Sequence, residues 1–344
     1  MIEKVLLGEM MKNFIIITTI NEKTKAISEF EKFDGWHIVV VGDKKSKHIE
    51  STANLTYLSL EDQRKLPFSI IEKLPYNHYA RKNIGYLYAI KKGAEIIYDT
   101  DDDNFPTSDW QLPDFYCDRM IVSSERFVNV YKYFTRYKVW PRGFPLDEIK
   151  KYLGDKLKTN IVTDIGILQG LVDIDPDVDA IYRLTVNKKI VFDKHPSLAI
   201  DKGCYCPFNS QNTFWIRNVF PCLYLPVSVT FRFTDILRSY IAQRLMWVND
   251  LRLGFSKAVV YQERNTHNLM DDFEQEIECY LKTKEVVDIL ESIDLSSDQP
   301  DNILRIYKML NKKGLVGSME LESCNAWISD FKRLTAKTVE ERGC

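Results

Sequence analysis

The chain has 344 residues, of which 45% are hydrophobic and 12% aromatic, and its 47 basic and 49 acidic residues give a formal net charge of −2. This length is sufficient for one large globular domain with an appendage, and it excludes a minimal module. The balanced charge excludes a general affinity for nucleic acid.

The first predicted elements open a βαβ unit. Residues 14–19 (FIIITT) and 36–41 (WHIVVV) are apolar, β-branched runs typical of buried strands, and residues 23–32 between them predict a helix. This order of elements indicates an α/β fold with a parallel sheet.

A second helix and a third strand follow. Residues 75–93 predict a helix that ends at Gly93, and residues 95–98 predict the next strand. Arg81 and Lys82 fall in the first turn of this helix, where the macrodipole disfavours cations. Either the helix begins earlier, or an anion such as a diphosphate lies nearby, or both side chains are simply solvated.

An acidic segment, YDTDDDN (98–104), comes at the carboxyl end of that strand, where open α/β sheets bind ligands. Two like charges about 6 Å apart repel by about 3 kcal/mol at a dielectric constant near 20, so the cluster requires protons or a cation. An EF-hand loop is excluded, because its sixth and twelfth positions are Asn104 and Trp110. Carboxylates here fit Mn²⁺ or Mg²⁺ shared with substrate phosphates. The acidic residues are Asp99, Asp101, Asp102 and Asp103.

The later part of the chain divides into three regions. Residues 105–230 are rich in Pro and aromatics, which predicts loops and short strands around an acceptor pocket. Residues 234–248 predict a helix with Thr234 as N-cap, and Arg244 near its apolar stripe suggests a buried anionic partner. From residue 271 the pattern is amphipathic and helical, with a break at 296–301.

Two patterns concern the cellular compartment. The first twenty residues lack an apolar run of signal-sequence length, and no later stretch approaches the ~18 apolar residues of a membrane span. We therefore expect a cytoplasmic chain without a signal or transmembrane segment. Seven Cys without a CxxC pair predict reduced, buried thiols. A zinc site is not favoured, because no standard ligand spacing fits Cys204, Cys206, Cys222 and His195.

Five blocks of the chain stand in order between about residues 70 and 270. They are RKNIGYLYAIKKGAEIIYDTDD (81–102), WPRGFPL (140–146), QGLVDIDPDVDAIYRLT (169–185), FNSQNTFW (208–215) and LPVSVTFRFTDILRSYIAQRLMW (225–247). In this order the blocks resemble the STELLO family of predicted glycosyltransferases. The resemblance implies a GT-A-like fold, a Rossmann-type mixed sheet flanked by helices. It would occupy residues 10–270, with a nucleotide-binding half to about 110 and an acceptor half from about 111, followed by a helical C-terminal region at 271–344.

The resemblance also implies roles for individual residues. The four aspartates would hold Mn²⁺ or Mg²⁺ and the diphosphate of a nucleotide sugar, with His267 completing the metal shell unless it is structural. Asp235 would be the general base for an acceptor hydroxyl, unless it only stabilises a helix N-terminus. The nucleoside would lie against side chains after the first two strands, and arginines would contact the diphosphate. These binding candidates are Thr18, Thr19, Asn21, Asp43, Arg81, Lys82, Arg238 and Arg244.

The function implied is transfer of a sugar from a nucleotide sugar, a UDP-sugar in first place, to an unidentified glycan, lipid or protein acceptor. Two alternatives stay open: a UDP-sugar mutase-like isomerase, and a non-catalytic scaffold that binds partner glycosyltransferases. The sequence departs from the family at Asp103 and Asn104, where a less acidic continuation is expected. It also shows no membrane anchor of the kind the plant Golgi members carry, so a Golgi association is the alternative to the cytoplasm.

Overall fold

A computed structural model describes residues 12–151, 154–264 and 268–342, with side chains described as far as residue 336. The described residues form one mixed ten-stranded sheet flanked by helices, with further helices at the C-terminal end. This confirms the predicted fold class of a mixed α/β sheet with a helical C-terminal region. The strands are β1 (Asn13–Thr18), β2 (Trp36–Val41), β3 (Leu55–Leu58), β4 (Ile96–Thr100), β5 (Asn104–Pro106), β6 (Tyr116–Val122), β7 (Lys156–Asp173), β8 (Leu198–Ile200), β9 (Asn212–Ile216) and β10 (Arg252–Gln262). The helices are α1 (Lys25–Phe30), α2 (Leu60–Lys65), α3 (Lys82–Lys91), α4 (Ala180–Thr185), α5 (Thr234–Met246), α6 (Leu269–Ser292), α7 (Gln299–Lys312) and α8 (Met319–Arg342).

One half of the sheet is parallel, in the order β3-β2-β1-β4. Its strands are continuous apolar runs because helices or loops cover both faces, so alternate residues enter two separate hydrophobic clusters. Ile16 faces the cluster that contains α3, whereas Ile17 faces the cluster that contains α1. The predicted βαβ opening is therefore confirmed, and it aligns the carboxyl ends of β1, β2 and β4 at one edge.

Helix α3 begins seven residues later than predicted, at Lys82, after a short 3-10 turn at Tyr79–Arg81. It ends as predicted, with Gly93 at a φ of +86°, a conformation that glycine adopts without steric cost. A Cβ at Gly85 would lie 2.7 Å from Ile16 Cγ2, so the missing side chain lets α3 lie close against the sheet. This close packing fixes where the first turn of α3 meets the end of β4.

The other half of the sheet is largely antiparallel and differs from the prediction. Strand β4 pairs with β9, and β9 pairs with β7, which has 18 residues and extends the sheet well beyond its core. The expectation of loops and short strands between 105 and 230 missed β7. Its first half is polar and mostly exposed, and it is held as a strand by pairing with β6 rather than by burial.

Helix α5 is confirmed, but two details of its prediction are wrong. Thr234 is not the N-cap, because its hydroxyl donates to the carbonyl of Thr230 and no side chain caps the helix at Phe233. Arg244 has no carboxylate partner among the described residues; it donates to the carbonyls of Leu290 and Ile293 at the end of α6, both at 3.2 Å. These carbonyls carry the negative end of the α6 dipole.

The three C-terminal helices pack directly on the rest of the molecule. Trp327 of α8 is buried and donates its indole N–H to the carbonyl of Pro221 at 3.0 Å. Glu320 accepts hydrogen bonds from the Tyr224 hydroxyl at 2.6 Å and from the Ser228 hydroxyl at 2.7 Å. The segment leading into α5 is thereby attached to α8. The predicted domain division near residue 270 stays a prediction.

The six described cysteines are free and buried, which confirms the expectation of reduced thiols for that part of the chain. Among the described helices, none combines the length and the apolar character needed to cross a bilayer.

Candidate functional site

The candidate site is a cleft of about 450 Å³ at the edge where β1, β2 and β4 end. Three groups of side chains line it: the acidic residues after β4, polar residues after β1 and β2, and arginines from later segments. We call the first group, Asp101, Asp102 and Asp103, the acidic wall. We call the second group, together with Arg81 before α3, the nucleoside end after the role that the sequence predicts for it; it comprises Thr18, Thr19, Asn21, Asp43 and Arg81. The third group is the arginine wall, comprising Arg142, Arg183, Arg232 and Arg264.

Asp99 does not line the cleft, because it is the penultimate residue of β4 and is fully buried. Its two oxygens face Lys82 Nζ at 2.7 Å and Arg238 Nη2 at 2.8 Å. Burial alone would raise the pKa of Asp99, but these two cations hold it below its ordinary value. Asp99 is thus the counter-ion of two buried cations, and neither of them lines the cleft either.

Lys82, the first residue of α3, is therefore not solvated, and groups of the protein itself are its partners. Lys82 is fully buried, and besides Asp99 it contacts Asp101 Oδ1 at 3.2 Å and donates to the carbonyl of Thr100 at 2.6 Å. The anion that the sequence predicted near Lys82 is therefore not a bound ligand; it is a pair of carboxylates of the protein, on Asp99 and Asp101. Lys82 and Arg238, both predicted as ligand contacts, instead lie beneath the acidic wall and attach it to α3 and α5.

Each carboxylate of the acidic wall has a partner from another element. Asp101 accepts from the Tyr79 hydroxyl at 2.7 Å. Asp102 accepts from the hydroxyl of Thr19 and from the Asn21 amide at 3.0 Å. The loop after β1 and the loop after β4 are therefore joined through Asp102.

Asp103 completes the acidic wall and is the least compensated of its carboxylates. It accepts from the Gln262 amide of β10 at 2.9 Å. Burial, followed by the charges of Asp101 and Asp102, raises the pKa of Asp103 to about 7. Burial also raises the pKa of Asp101, although Lys82 opposes it. The carboxyls of Asp101 and Asp103 thus both resist ionisation, which indicates that the acidic wall is deficient in positive charge.

At the nucleoside end, Arg81 is buried and lies over the ring of Tyr76, 4.9 Å from its centroid. One guanidinium nitrogen donates to Gln63, but Nε and Nη1 have no hydrogen-bond partner among the described residues. The nearest carboxylate oxygen, on Asp43, is 4.0 Å from Arg81 Nε. Asp43 itself accepts from the backbone N–H of His78 at 3.2 Å. Buried donors without acceptors at the rim of a cleft are suited to a polar ligand.

The arginine wall is held by ion pairs. Arg142 contacts Asp177 at 2.7 Å and Asp235 at 2.9 Å through the same guanidinium nitrogen, Nη2. Arg232 contacts Glu276 of α6 at 2.6 Å. Burial opposes ionisation of Asp177, but Arg142 and its hydrogen bonds lower the pKa of Asp177 below its ordinary value.

Asp235, the candidate base, lines the cleft, and both of its oxygens contact Arg142. One of them also accepts from the backbone N–H of Ile236, in the first turn of α5. Arg244 does not line the cleft, because its guanidinium is held at the end of α6. His267 lies outside the described residues. Within the described ranges no three His, Cys, Asp or Glu side chains converge closely enough to hold a metal ion by themselves.

Sequence reasoning missed several lining residues. Tyr79 and Gln262 carry no local pattern that distinguishes them from structural residues. Arg142 and Asp177 lie inside the quoted blocks WPRGFPL and DIDPDVD, so the blocks gave a signal, but only the fold shows that these two residues form a pair.

Comparison with known families agrees with the blocks. Residues 232–340 match the model of a family described as STELLO glycosyltransferases. A protein of Arabidopsis thaliana described as "Probable glycosyltransferase STELLO2" is 26% identical over 345 residues, which cover 93% of this chain and 44% of that protein. The chain is STELLO-like. "Probable glycosyltransferase STELLO1" of the same plant is 30% identical to the STELLO-like chain over 257 residues, covering 69% of it and 33% of that relative.

The STELLO-like chain therefore spans less than half the length of these two curated relatives. The family match includes Arg232 and Asp235 of the cleft, all of α5 and most of the C-terminal helices. The acidic wall lies before the matched residues. The assignment to the GT-A fold stays a prediction.

Proposed function

We propose that this STELLO-like chain is a glycosyltransferase that uses a nucleotide sugar, UDP-linked in first place, and transfers its sugar to a glycan, lipid or protein acceptor. The observation that carries the proposal is the cleft itself. It joins three carboxylates after β4 to polar side chains after β1 and β2 of a parallel sheet. Ligands of α/β sheets bind at such an edge, and the family match supplies the reaction class.

The nucleoside end is the proposed site for the base and ribose. Arg81 offers buried donors without partners, and Asp43 offers carboxylate oxygens at the same rim. Thr18, Thr19 and Asn21 present hydroxyl and amide groups between this rim and the acidic wall. Groups of both kinds, donors and acceptors, are needed to hold a uracil ring and ribose hydroxyls.

The acidic wall is the proposed site for Mn²⁺ or Mg²⁺, with His267 as a further candidate ligand. Hard carboxylate oxygens suit these cations, which take one or two protein carboxylates and complete their shell with phosphate oxygens and water. The raised pKa of Asp103 fits this use, because a divalent cation would relieve the repulsion of its neighbours. When bound, the cation would stabilise negative charge on the nucleoside diphosphate that leaves.

Three groups of this chain have proposed roles around the reaction. The buried Lys82, Asp99 and Arg238 set fixes the position of the acidic wall and excludes water beneath it. Arg142 orients Asp235, which is the candidate for removing the proton of the acceptor hydroxyl. Phe231 is 53% exposed at the cleft, and its ring is available to pack against a sugar face.

The first experiment is a calorimetric titration of UDP and several UDP-sugars, with and without Mn²⁺. The proteins compared are the wild type, an Asp101→Asn, Asp103→Asn double variant, and Asp118→Asn as a matched control. Asp118 is an exposed aspartate on β6, away from the cleft. We expect Mn²⁺-dependent binding in the wild type and the control, and at least a tenfold loss in the double variant.

The other results separate the alternatives. No UDP binding by folded wild-type protein would contradict the nucleotide-sugar assignment and favour the scaffold function. Binding followed by ring isomerisation of the UDP-sugar, without any acceptor, would favour the mutase function. Transfer to an added acceptor, lost in Asp235→Asn, would support the proposed reaction and the proposed base.

A further inference from the structure

A second pocket, of about 440 Å³, adjoins the cleft. The two share Arg183, Gln262 and Arg264 in their linings. Gln262 also donates to Asp103, so the junction between the pockets lies beside the acidic wall. No residue of the nucleoside end, all of which are described, lines the second pocket. A molecule in this pocket would therefore reach the acidic wall through the junction and not through the nucleoside end.

Cations outnumber carboxylates around the second pocket, four to two. Lys188 and Lys189 are exposed at its rim, and the two arginines lie deeper. The lining cations are Arg183, Lys188, Lys189 and Arg264, and the lining carboxylates are Asp175 and Glu263.

Two arginines, Arg183 at the junction and Arg232 in the cleft lining, keep unused hydrogen-bond donors. Arg183 is only 6% exposed and pairs with Asp175, yet its Nε has no hydrogen-bond partner among the described residues. Arg232 Nη2 is also buried without a hydrogen bond within the described part of the chain, and its nearest carboxylate oxygen, on Asp177, is 3.9 Å away. Buried donors of this kind are costly unless a ligand satisfies them.

Arg264 adds a second sign of uncompensated positive charge. Burial, followed by the like charges of Arg183 and Arg232, lowers the pKa of Arg264, although Asp272 contacts it at 2.5 Å. The guanidinium of Arg264 is thus repelled by those of Arg183 and Arg232, even with the carboxylate of Asp272 in contact. An anion placed among them would relieve the repulsion and accept the unused N–H groups.

We propose that Arg183, Arg232 and Arg264 bind an anionic group of the acceptor, a carboxylate or a phosphate, and that the second pocket holds the acceptor. This proposal rests on the proposed function, because it takes the cleft as the donor site. The rim lysines attract the anion, and the arginines fix it with paired hydrogen bonds. The acceptor hydroxyl would then lie toward Gln262 and the acidic wall.

The donor diphosphate is the competing ligand for these arginines. Its proposed place is the acidic wall, between the nucleoside end and the junction, where carboxylates and a cation would hold it. The arginine subsite is on the other wall of the cleft, on the side of the second pocket, so we expect it to stay available when UDP is bound. This difference in position gives the experiment its design.

The experiment is a ligand-observed NMR titration with three probes at saturating UDP and Mg²⁺, which is diamagnetic and leaves the probe signals sharp. Methyl β-D-glucuronide carries a carboxylate, glucose 6-phosphate carries a phosphate, and methyl β-D-glucoside is neutral. We expect at least one anionic probe to bind fivefold or more tightly than the glucoside, and the better of the two identifies the anion. The preference should fall below twofold in Arg264→Gln and decrease about twofold to threefold in a Lys188→Gln, Lys189→Gln variant.

The control is Lys156→Gln, Lys158→Gln, which removes two exposed lysines from β7 and should leave the preference unchanged. UDP affinity is measured first in every protein, because it reports the proposed function independently. Normal UDP binding with equal affinity for all three probes would overturn the anionic acceptor while leaving the donor site intact. Displacement of the anionic probes by UDP would also overturn it, since the arginines would then hold the donor. Absence of UDP binding in the wild type would overturn both proposals.

Discussion

The two walls of the cleft use the same residue type in opposite ways. On the acidic wall, burial and neighbouring carboxylates raise the pKa of Asp103 to about 7. On the arginine wall, Asp177 is more deeply buried than Asp103, yet Arg142 lowers its pKa. Burial therefore does not determine the charge of an aspartate in this cleft; the nearest cation does.

The walls also differ in how they are built. The acidic wall comes from three consecutive residues, and a fixed base of Asp99, Lys82 and Arg238 lies beneath it. The arginine wall is assembled from segments far apart in the chain and is joined by ion pairs to α5 and α6. A wall short of positive charge is suited to receive a cation, whereas arginines that ion pairs fix in place, and that keep unused N–H donors, are suited to orient an anionic ligand. Four substitutions test this contrast.

The largest effect is expected at the base of the acidic wall. Asp99→Asn should lower the free energy of unfolding by about 3–5 kcal/mol, because Lys82 and Arg238 would stay buried without their shared counter-charge. Urea denaturation measures this, with the exposed Asp118→Asn as the control at under about 0.5 kcal/mol. A loss below about 1 kcal/mol for Asp99→Asn would contradict its role as a buried counter-ion.

The arginine wall should be next in sensitivity. Arg142→Lys keeps the charge but cannot contact Asp177 and Asp235 with a planar fork, so we expect a loss of about 2 kcal/mol. Chemical denaturation measures the stability, and transfer activity should fall further than stability alone explains, because Asp235 loses its orientation. Equal stability of the lysine variant would show that charge, and not geometry, holds this wall.

The pH dependence of stability should have opposite signs for the two walls, because the pKa of Asp103 is raised and the pKa of Asp177 is lowered. Because the folded-state pKa of Asp103 is raised, this carboxyl destabilises the fold progressively as pH rises from about 4 to 7. With EDTA present, Asp103→Asn should therefore be more stable than the wild type by about 1–2 kcal/mol at pH 8, after allowance for solvent screening. The gain should disappear toward pH 4. A variant that is less stable at pH 8 would show that the Gln262 hydrogen bond outweighs the repulsion.

The smallest effect concerns the link between the acidic wall and the nucleoside end. Thr19→Val removes the hydroxyl that donates to Asp102 and should cost about 1 kcal/mol of stability. UDP affinity should fall severalfold, because the loop after β1 is no longer held to the acidic wall. Thr56→Val on β3, remote from the cleft lining, is the matched control and should leave UDP affinity unchanged.

Much of the parallel half of the sheet was predictable from the sequence. Apolar runs such as FIIITT and WHIVVV are stable in one environment, a parallel sheet that is buried on both faces. Gly93 marks the end of α3, because its positive φ suits glycine. The run of aspartates after β4 identified the edge of the sheet where the cleft lies. These signals are local, so neighbouring residues suffice to read them.

The antiparallel half was much less predictable. The first part of β7 is polar and exposed, so its strand conformation depends on hydrogen bonds to β6 and not on a hydrophobic pattern. Arg244 offers a similar case, because backbone carbonyls of α6 replace the carboxylate expected from its position. Partners that are distant in sequence leave no local pattern to read.

The sequence by itself determined that four aspartates lie at the carboxyl end of a buried strand, and that such a cluster needs compensation by positive charge. Only the tertiary structure decided which of the four aspartates is neutralised by cationic side chains of the protein. Lys82 and Arg238 arrive from two helices to neutralise Asp99, whereas Asp101, Asp102 and Asp103 are left facing the cleft. The physical reason is that compensation depends on distances of 3–4 Å between side chains, and these distances are set by the packing of helices on the sheet.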